Sequence, residues 1–424
     1  MNQPNDTHTL VDHLFRHEAG KMIAILTRLF GLHHLELAED VVQEAFLKAT
    51  QTWTYQEIPS NPAAWLMQVA KNKAIDILRH GQYATQYSRE FSLRAKEQVE
   101  ETVEEFFHEN EIADSQLQMI FACCHPSLNS DDQLAFTLKT ASGFGAAEIA
   151  KALLTNEAVI QKRLYRAKQF LRDQSIRLEI PVGGALNARL ENVYTVLYLI
   201  FNEGYNSIKA DELIRKDLCA EAMRLCKLLS EHSCGARPMT FALLSLMCFQ
   251  ASRFESRMDE NQSIVLLQQQ DRAKWNQPLI ALAYQFLSRS SEGDELSIYH
   301  LEAAIAAEHC LSPSFQSTNW QRLLGLYDLL LERKKTPVVM LNRSVVLAQT
   351  GNPDAAIEAI LQIPGLEKLI SSQYIYSAVL GDLYLQAGNL DKAKEMLGKA
   401  YTLTTSQAEK KLIAGKLSAS NFEN

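Results

Sequence analysis

The sequence predicts an all-α protein: two small helical domains, the second a helix-turn-helix, followed by a C-terminal domain of helical repeats. Three observations carry that prediction. Glycine and proline number 17 and 11 in 424 residues, while helix formers such as Ala, Leu, Gln, Glu and Lys dominate, so helix propensity is high throughout. Apolar residues recur at helical spacing, and the strict alternation of a half-buried strand is almost absent. GNPDAAIEAI, beginning at Gly351, returns as GNLDKAKEML at Gly388, a shift of 388 − 351 = 37 residues that marks a repeated helical unit.

The elements follow in order. Residues 1–82 read as several amphipathic helices, punctuated by Gly31, by the polar stretch QTWTYQEIPSN read as a loop, and by Pro62 at a first-turn position. Residues 83–113 are an acidic tether, with Glu97, Glu100, Glu101, Glu104, Glu105, Glu109 and Glu111 and little apolar periodicity. Residues 114–180 form a second small helical domain, closed by the breaker Pro181-Val182-Gly183-Gly184. Residues 181–424 are an extension of paired helices, in which Ala356 falls on Ala393 at the 37-residue shift. That period is close to the roughly 34 residues of a tetratricopeptide repeat, whose helical hairpins stack side by side.

Bulk composition narrows the function classes. A chain of 424 residues that is 47% apolar exceeds one ordinary core and predicts two or three compact units. No stretch approaches the roughly 20 apolar residues of a membrane span, and MNQPNDTHTL lacks the layout of a signal peptide, so a cytoplasmic, membrane-free protein is expected. Seven cysteines without CxxC spacing are expected to be reduced, and the adjacent Cys123 and Cys124 beside His125 suit an ion poorly, so no metal or cofactor is expected. The histidines accompany no nucleophile turn, HExxH or phosphate loop, so no enzyme is expected.

Three stripes carry the chemistry. On LELAEDVVQEAFLKAT, Asp40, Gln43, Glu44 and Leu47 share one face at i, i+3, i+4 and i+7, opposite Ala38, Val41, Val42, Ala45 and Ala49. A leucine among acids suits docking of a basic, partly apolar partner. On NPAAWLMQVAKNKAIDILRH, Leu66, Ala70, Ala74 and Ile77 make an apolar face, whereas Trp65, Gln68, Asn72, Ile75 and Arg79 lie outward, bordered by Lys71 and Lys73. Indole, amide and guanidinium groups in one row suit unpaired nucleic acid, where rings stack on bases for about 1–3 kcal/mol each. In the third, Lys151, Lys162, Arg163, Arg166, Lys168 and Arg172 concentrate positive charge in a chain of net charge −8. Ile160, Leu164, Ala167 and Leu171 line the inner face there, after a short helix and the Thr155-Asn156 turn, which is the bihelical motif whose second helix enters the major groove.

These motifs, in this order, resemble the extracytoplasmic-function type of sigma factor in the sigma-70 family. AEDVVQEAFLKAT resembles the polymerase-clamp-binding helix, NPAAWLMQVAKNKAIDILRH the promoter −10 helix, and GFGAAEIAKALLTNEAVIQKRLYRAKQFLR the −35 helix-turn-helix. IFACCHPSL, VLYLIFNEGYN, LCAEAMRL and the terminal repeats resemble the subgroup with a large tetratricopeptide-like extension. The resemblance implies a non-catalytic promoter-specificity subunit whose partners are core RNA polymerase, through its clamp helices and flap, and promoter DNA. It implies that Asp40, Gln43, Glu44 and Leu47 grip the clamp, and that Trp65, Gln68, Lys71, Asn72, Asp76 and Arg79 hold the −10 region. The QTWTYQEIPSN loop would receive a base turned out of the non-template strand. Glu157, Ala158, Gln161, Lys162, Arg163 and Arg166 would face the −35 duplex, although Glu157 and Ala158 depart from the commoner family turn. The extension is expected to control activity in cis, masking the basic helix together with the acidic tether, and to take a protein or small-molecule ligand of its own. A tetratricopeptide scaffold or a polymerase-independent DNA-binding regulator is the alternative.

Overall fold

The computed structural model describes residues 4–30, 34–55, 57–80, 109–174, 184–207, 214–232, 235–261 and 263–419. Among them are nineteen α-helices and no β-strand, as the periodicity predicts. Most of the tether expected at 83–113, and the break at residues 181–183, lie outside the described residues.

The chain forms two compact units, Met1–Glu203 with Ala220–Gly235, and Gly204–Cys219 with Ala236–Asn424. In the first, α1 (Pro4–Phe30), α2 (Leu35–Trp53) and α3 (Pro62–His80) share one core, built from Val41, Val42, Ala45 and Phe46 of α2 and Leu66, Ala70 and Ala74 of α3. Trp53 joins that core as a fully buried side chain, so α2 runs on through Gln51-Thr52-Trp53 and takes the first residues of the expected loop into helix. The burial of one indole outweighs the weak helix propensity of the Thr-rich stretch. Asn61 caps α3 by accepting from the Ala64 amide at 3.0 Å, with Pro62 at the first helical position as expected.

The same unit holds α4 (Glu109–Cys123), α5 (Ser130–Ser142), α6 (Ala146–Ala152) and α7 (Glu157–Asp173). Gly20 of α1 faces α5 so closely that a Cβ there would meet the Ala141 carbonyl oxygen at 2.6 Å. The two predicted domains of this half are therefore fused into one block. The first part of the predicted extension joins it too: Arg189 of α8 (Gly184–Tyr205) donates to the Phe121 carbonyl at 3.0 Å, and Arg224 of α9 (Lys216–Glu231) donates to Gln116 at 2.7 Å. These long-range polar contacts leave no trace in apolar periodicity.

The second unit is centred on α10 (Pro238–Ala251), an almost wholly apolar helix buried on nearly all sides, packed against α11 (Gln277–Ser290) and α12 (Ile298–Leu311). Beyond α13 (Trp320–Arg333), two hairpins repeat: α14 (Pro337–Gln349) with α15 (Pro353–Leu361), then, after α16 (Leu366–Ser372), α17 (Tyr374–Gln386) with α18 (Leu390–Leu403). The 37-residue shift holds in three dimensions. Asn352 and Asn389 cap α15 and α18 by accepting from Ala355 and Lys392, Gly351 and Gly388 supply positive φ just before them, and Ala356 and Ala393 are both wholly buried. Gly381, one repeat on from the buried Ser344, lets α17 approach α18, since a Cβ there would lie 2.7 Å from Leu397. The last helix, α19 (Gln407–Ala419), closes the array.

Candidate nucleic-acid and polymerase interface

The outer faces of α2, α3 and α7 emerge largely where helical winding puts them. On α2, Asp40, Gln43, Glu44 and Leu47 are all exposed, Leu47 at 60%, while Ala38, Val41, Val42, Ala45 and Ala49 are buried opposite. Glu44 meets Lys73 of α3 at 3.0 Å, both half exposed. A pair so placed contributes little to stability and is open to exchange with another cation.

On α3, Gln68 and Asn72 are exposed and joined, the Gln68 amide donating to the Asn72 oxygen at 3.1 Å. Asp76 is also exposed, and the Arg79 side chain lies outside the described residues. Trp65 is half-buried, its ring 5.3 Å from that of Trp53 and tilted by 54°. The indole thus has one side held by α2 and part of its surface free. Three expectations fail on this helix. Ile75, expected outward, packs partly buried against the shared core. Lys71 is buried, at 5% exposure, and Ile77 is 39% exposed, because the inner face turns toward Met67 and Lys71 and away from Ile77. A lysine stem is apolar enough to join that face, which a wheel drawn by residue class misses. Between α2 and α3, Tyr55 stands 89% exposed.

On α7, Ile160, Leu164, Ala167 and Leu171 are buried as expected, and Glu157, Ala158, Gln161, Lys162, Tyr165 and Arg166 form one exposed face. Asn156 caps the helix by accepting from the Val159 amide at 3.1 Å. The turn before it places Leu154 at φ 51°, with its side chain 78% exposed. Arg166 reaches Asp132 at 2.8 Å and keeps 60% of its side chain exposed. Arg163 is drawn back against Asp131 at 2.5 Å and is only 16% exposed, so of the six expected −35 residues it is the one withdrawn from the surface. At the other flank, Lys168 meets Glu39 of α2 at 2.5 Å and Arg172 meets Glu36 at 2.6 Å. Sequence reading left out these two glutamates, whose one signal is their position one helical turn before Asp40 and Gln43.

Cys123 and Cys124 are buried at the end of α4, and burial pushes the Cys124 thiol up to about 12, so both are packing groups. Among the described residues no group of three or more His, Cys, Asp or Glu side chains is placed to hold a metal ion, and no helix is long and apolar enough to cross a membrane.

Comparison with known proteins matches residues 14–83 to sigma-70 region 2 and residues 118–171 to sigma-70 region 4. Residues 189–291 match a family of unknown function, DUF6596. An uncharacterized protein of Rhizobium meliloti (strain 1021) is 33% identical over 384 residues, covering 91% of this chain and 90% of that relative. No solved structure matches the chain.

Proposed function

The chain belongs to the sigma-70 family, and from that membership we propose that it is an extracytoplasmic-function sigma factor that brings core RNA polymerase to specific promoters, its C-terminal helical extension controlling that activity in cis. The observation that carries the proposal is one exposed polar face on each of three helices, inside the two matched regions and in the order that polymerase docking, −10 reading and −35 reading require. Asp40, Gln43, Glu44 and Leu47 take the clamp; Trp65, Gln68, Asn72 and Asp76 take the opened strand; Gln161, Lys162 and Arg166 meet the duplex, guanidinium gripping guanine and ammonium seeking phosphate.

The same block implies an opening step. Elements at −10 and −35 lie about 25 base pairs apart, about 85 Å at about 3.4 Å per pair. Glu39, held by Lys168, and Trp53, held by Trp65, are joined by α2 alone, whose rise of about 1.5 Å per residue keeps the two reading faces within the order of 40 Å. Both faces therefore reach one promoter only after Lys168 and Arg172 leave α2 and α5 leaves its close packing on Gly20 of α1. A polymerase surface gripping Asp40 and Glu44 competes for the same acidic edge.

Co-purification with core polymerase and run-off transcription test the function, and a chain that never joins core polymerase overturns it. A zero-length carbodiimide cross-linker tests the opening separately. It is expected to join Lys168 to Glu39 in the free protein and to stop doing so once core polymerase is bound; a cross-link that persists in an active complex overturns the opening step alone.

A further inference from the structure

The second unit contains a cavity of about 540 Å³, within the size range of small-molecule sites. Its wall includes the aromatic rings of Trp320, Tyr327 and Tyr374, with Arg257 and His309 also lining it. The two acids in the wall are already engaged: Asp382 pairs with Lys416 at 2.6 Å, and Glu409 accepts from the Tyr374 hydroxyl at 2.5 Å and from Thr404.

Of the cations in the wall, Lys416 is thus paired, whereas Arg257 has no acid, and neither have Arg253 and Arg272, which lie behind the wall rather than in it. Arg257 donates to the Tyr205 carbonyl at 2.5 Å and lies over that ring at 3.8 Å. Arg253 donates to the Gln270 amide oxygen at 3.1 Å, and Arg272 to the carbonyls of His309 and Ser312, while both guanidiniums flank Trp275 at 5.2 and 4.7 Å. Every one of these partners is neutral. Nη2 of Arg272 and Nδ1 of His309 are buried with no hydrogen-bond partner. Burial lowers the affinity of Arg257 and of Arg272 for their protons, and burial together with Arg253 and Arg272 brings His309 down to about 4. A partly buried guanidinium without a carboxylate is costly unless an anion joins it, and of the three only Arg257 lines the cavity where an anion could do so.

We propose that this cavity binds an amphiphilic organic anion, with its acid group at Arg257 and its apolar body against Trp320, Tyr327 and Tyr374. The site is separate from polymerase and promoter contacts, so it stands whether or not the function proposed above does. A long-chain acid and an aromatic acid share the required chemistry.

Calorimetry on the full-length protein, with submicellar decanoate, decanol, decyltrimethylammonium and 2-naphthoate as probes, tests the assignment. Decanoate is expected to bind at least tenfold more tightly than decanol, and the cation more weakly than either; the ratio of naphthoate to decanoate identifies the preferred body. Arg257→Gln is expected to bring decanoate to the level of decanol, Arg257→Lys to keep most of the anion preference, and Trp320→Ala to weaken every probe. Equal affinity for acid and alcohol overturns the proposal, as does an anion preference that survives in a folded Arg257→Gln protein.

Discussion

The cations of α7 and those around Trp275 are the same residue types in opposite circumstances. Arg163, Arg166, Lys168 and Arg172 each face a carboxylate, at 2.5–2.8 Å, on another element of the same unit. Arg253, Arg257 and Arg272 face carbonyls, an amide and rings. A pair exposed on both sides, such as Arg172–Glu36, is worth about 0–1 kcal/mol and can be exchanged for a pair with phosphate, as the opening proposed above requires. A desolvated cation without a counter-ion is a standing cost that an arriving anion removes. The contrast teaches that the charge of a residue says less about its use than whether its partner is already built into the fold.

The strongest test of that contrast uses pH. His309 titrates at about 4, against 6.5 for an ordinary histidine, through burial first and then Arg253 and Arg272. The folded state refuses a proton that the unfolded chain accepts between these values, so stability rises with pH across that window. The contribution of neutral His309 is complete above 6.5 and is lost as pH falls toward 4, by about 3 kcal/mol. Urea unfolding at pH 7.5 and 4 is expected to show the wild type losing that much more than His309→Gln. Equal losses would place the acid sensitivity elsewhere and remove His309 from the comparison.

A smaller effect is expected on α7. Lys162 is exposed on the face of α7 proposed to meet the duplex, so Lys162→Glu is expected to lower affinity for mixed-sequence duplex DNA roughly tenfold at moderate salt and to flatten the salt dependence by about one counter-ion, with no change in Tm. Arg166→Gln behaves differently. It leaves Asp132, only 4% exposed, without its cation, and lowers both affinity and Tm. Salt titrations and thermal melts on the two variants separate an exchangeable cation from one that also serves the fold.

How much of this was legible follows from range. The inner face of α7 and the outer face of α2 come from 3.6-residue periodicity, which the folded chain obeys side chain by side chain. The 37-residue repeat is likewise local and reappears as matched caps and matched buried alanines. Lys168 and Glu39, by contrast, lie 129 residues apart, and nothing near either announces the other. Arg253, Arg257 and Arg272 sit outside regular α-helix, in the stretch between α10 and α11, where periodicity is silent. Lys71 was misplaced because classifying it as a cation hides its apolar stem.

The smallest test concerns backbone strain. In the second unit every described residue with clearly positive φ is glycine, at Gly293, Gly351, Gly365 and Gly388, whereas the first unit puts Leu154 at φ 51° in the turn between α6 and α7. A left-handed leucine costs about 1–2 kcal/mol, and its 78% exposed side chain recovers little by burial. Leu154→Asn is therefore expected to stabilise the protein by about 0.5–1 kcal/mol, because asparagine tolerates this region without the added unfolded-state entropy of glycine. Leu154→Gly is expected to gain less, since that entropy offsets the relief of strain. Thermal melts rank the variants. If Leu154→Asn raises Tm while weakening transcription, the strained leucine serves the reading head, and the first unit carries in its turn a cost that the second avoids with glycine. If Tm falls, the side chain makes a stabilising contact, and the contrast between the two units narrows to their charges.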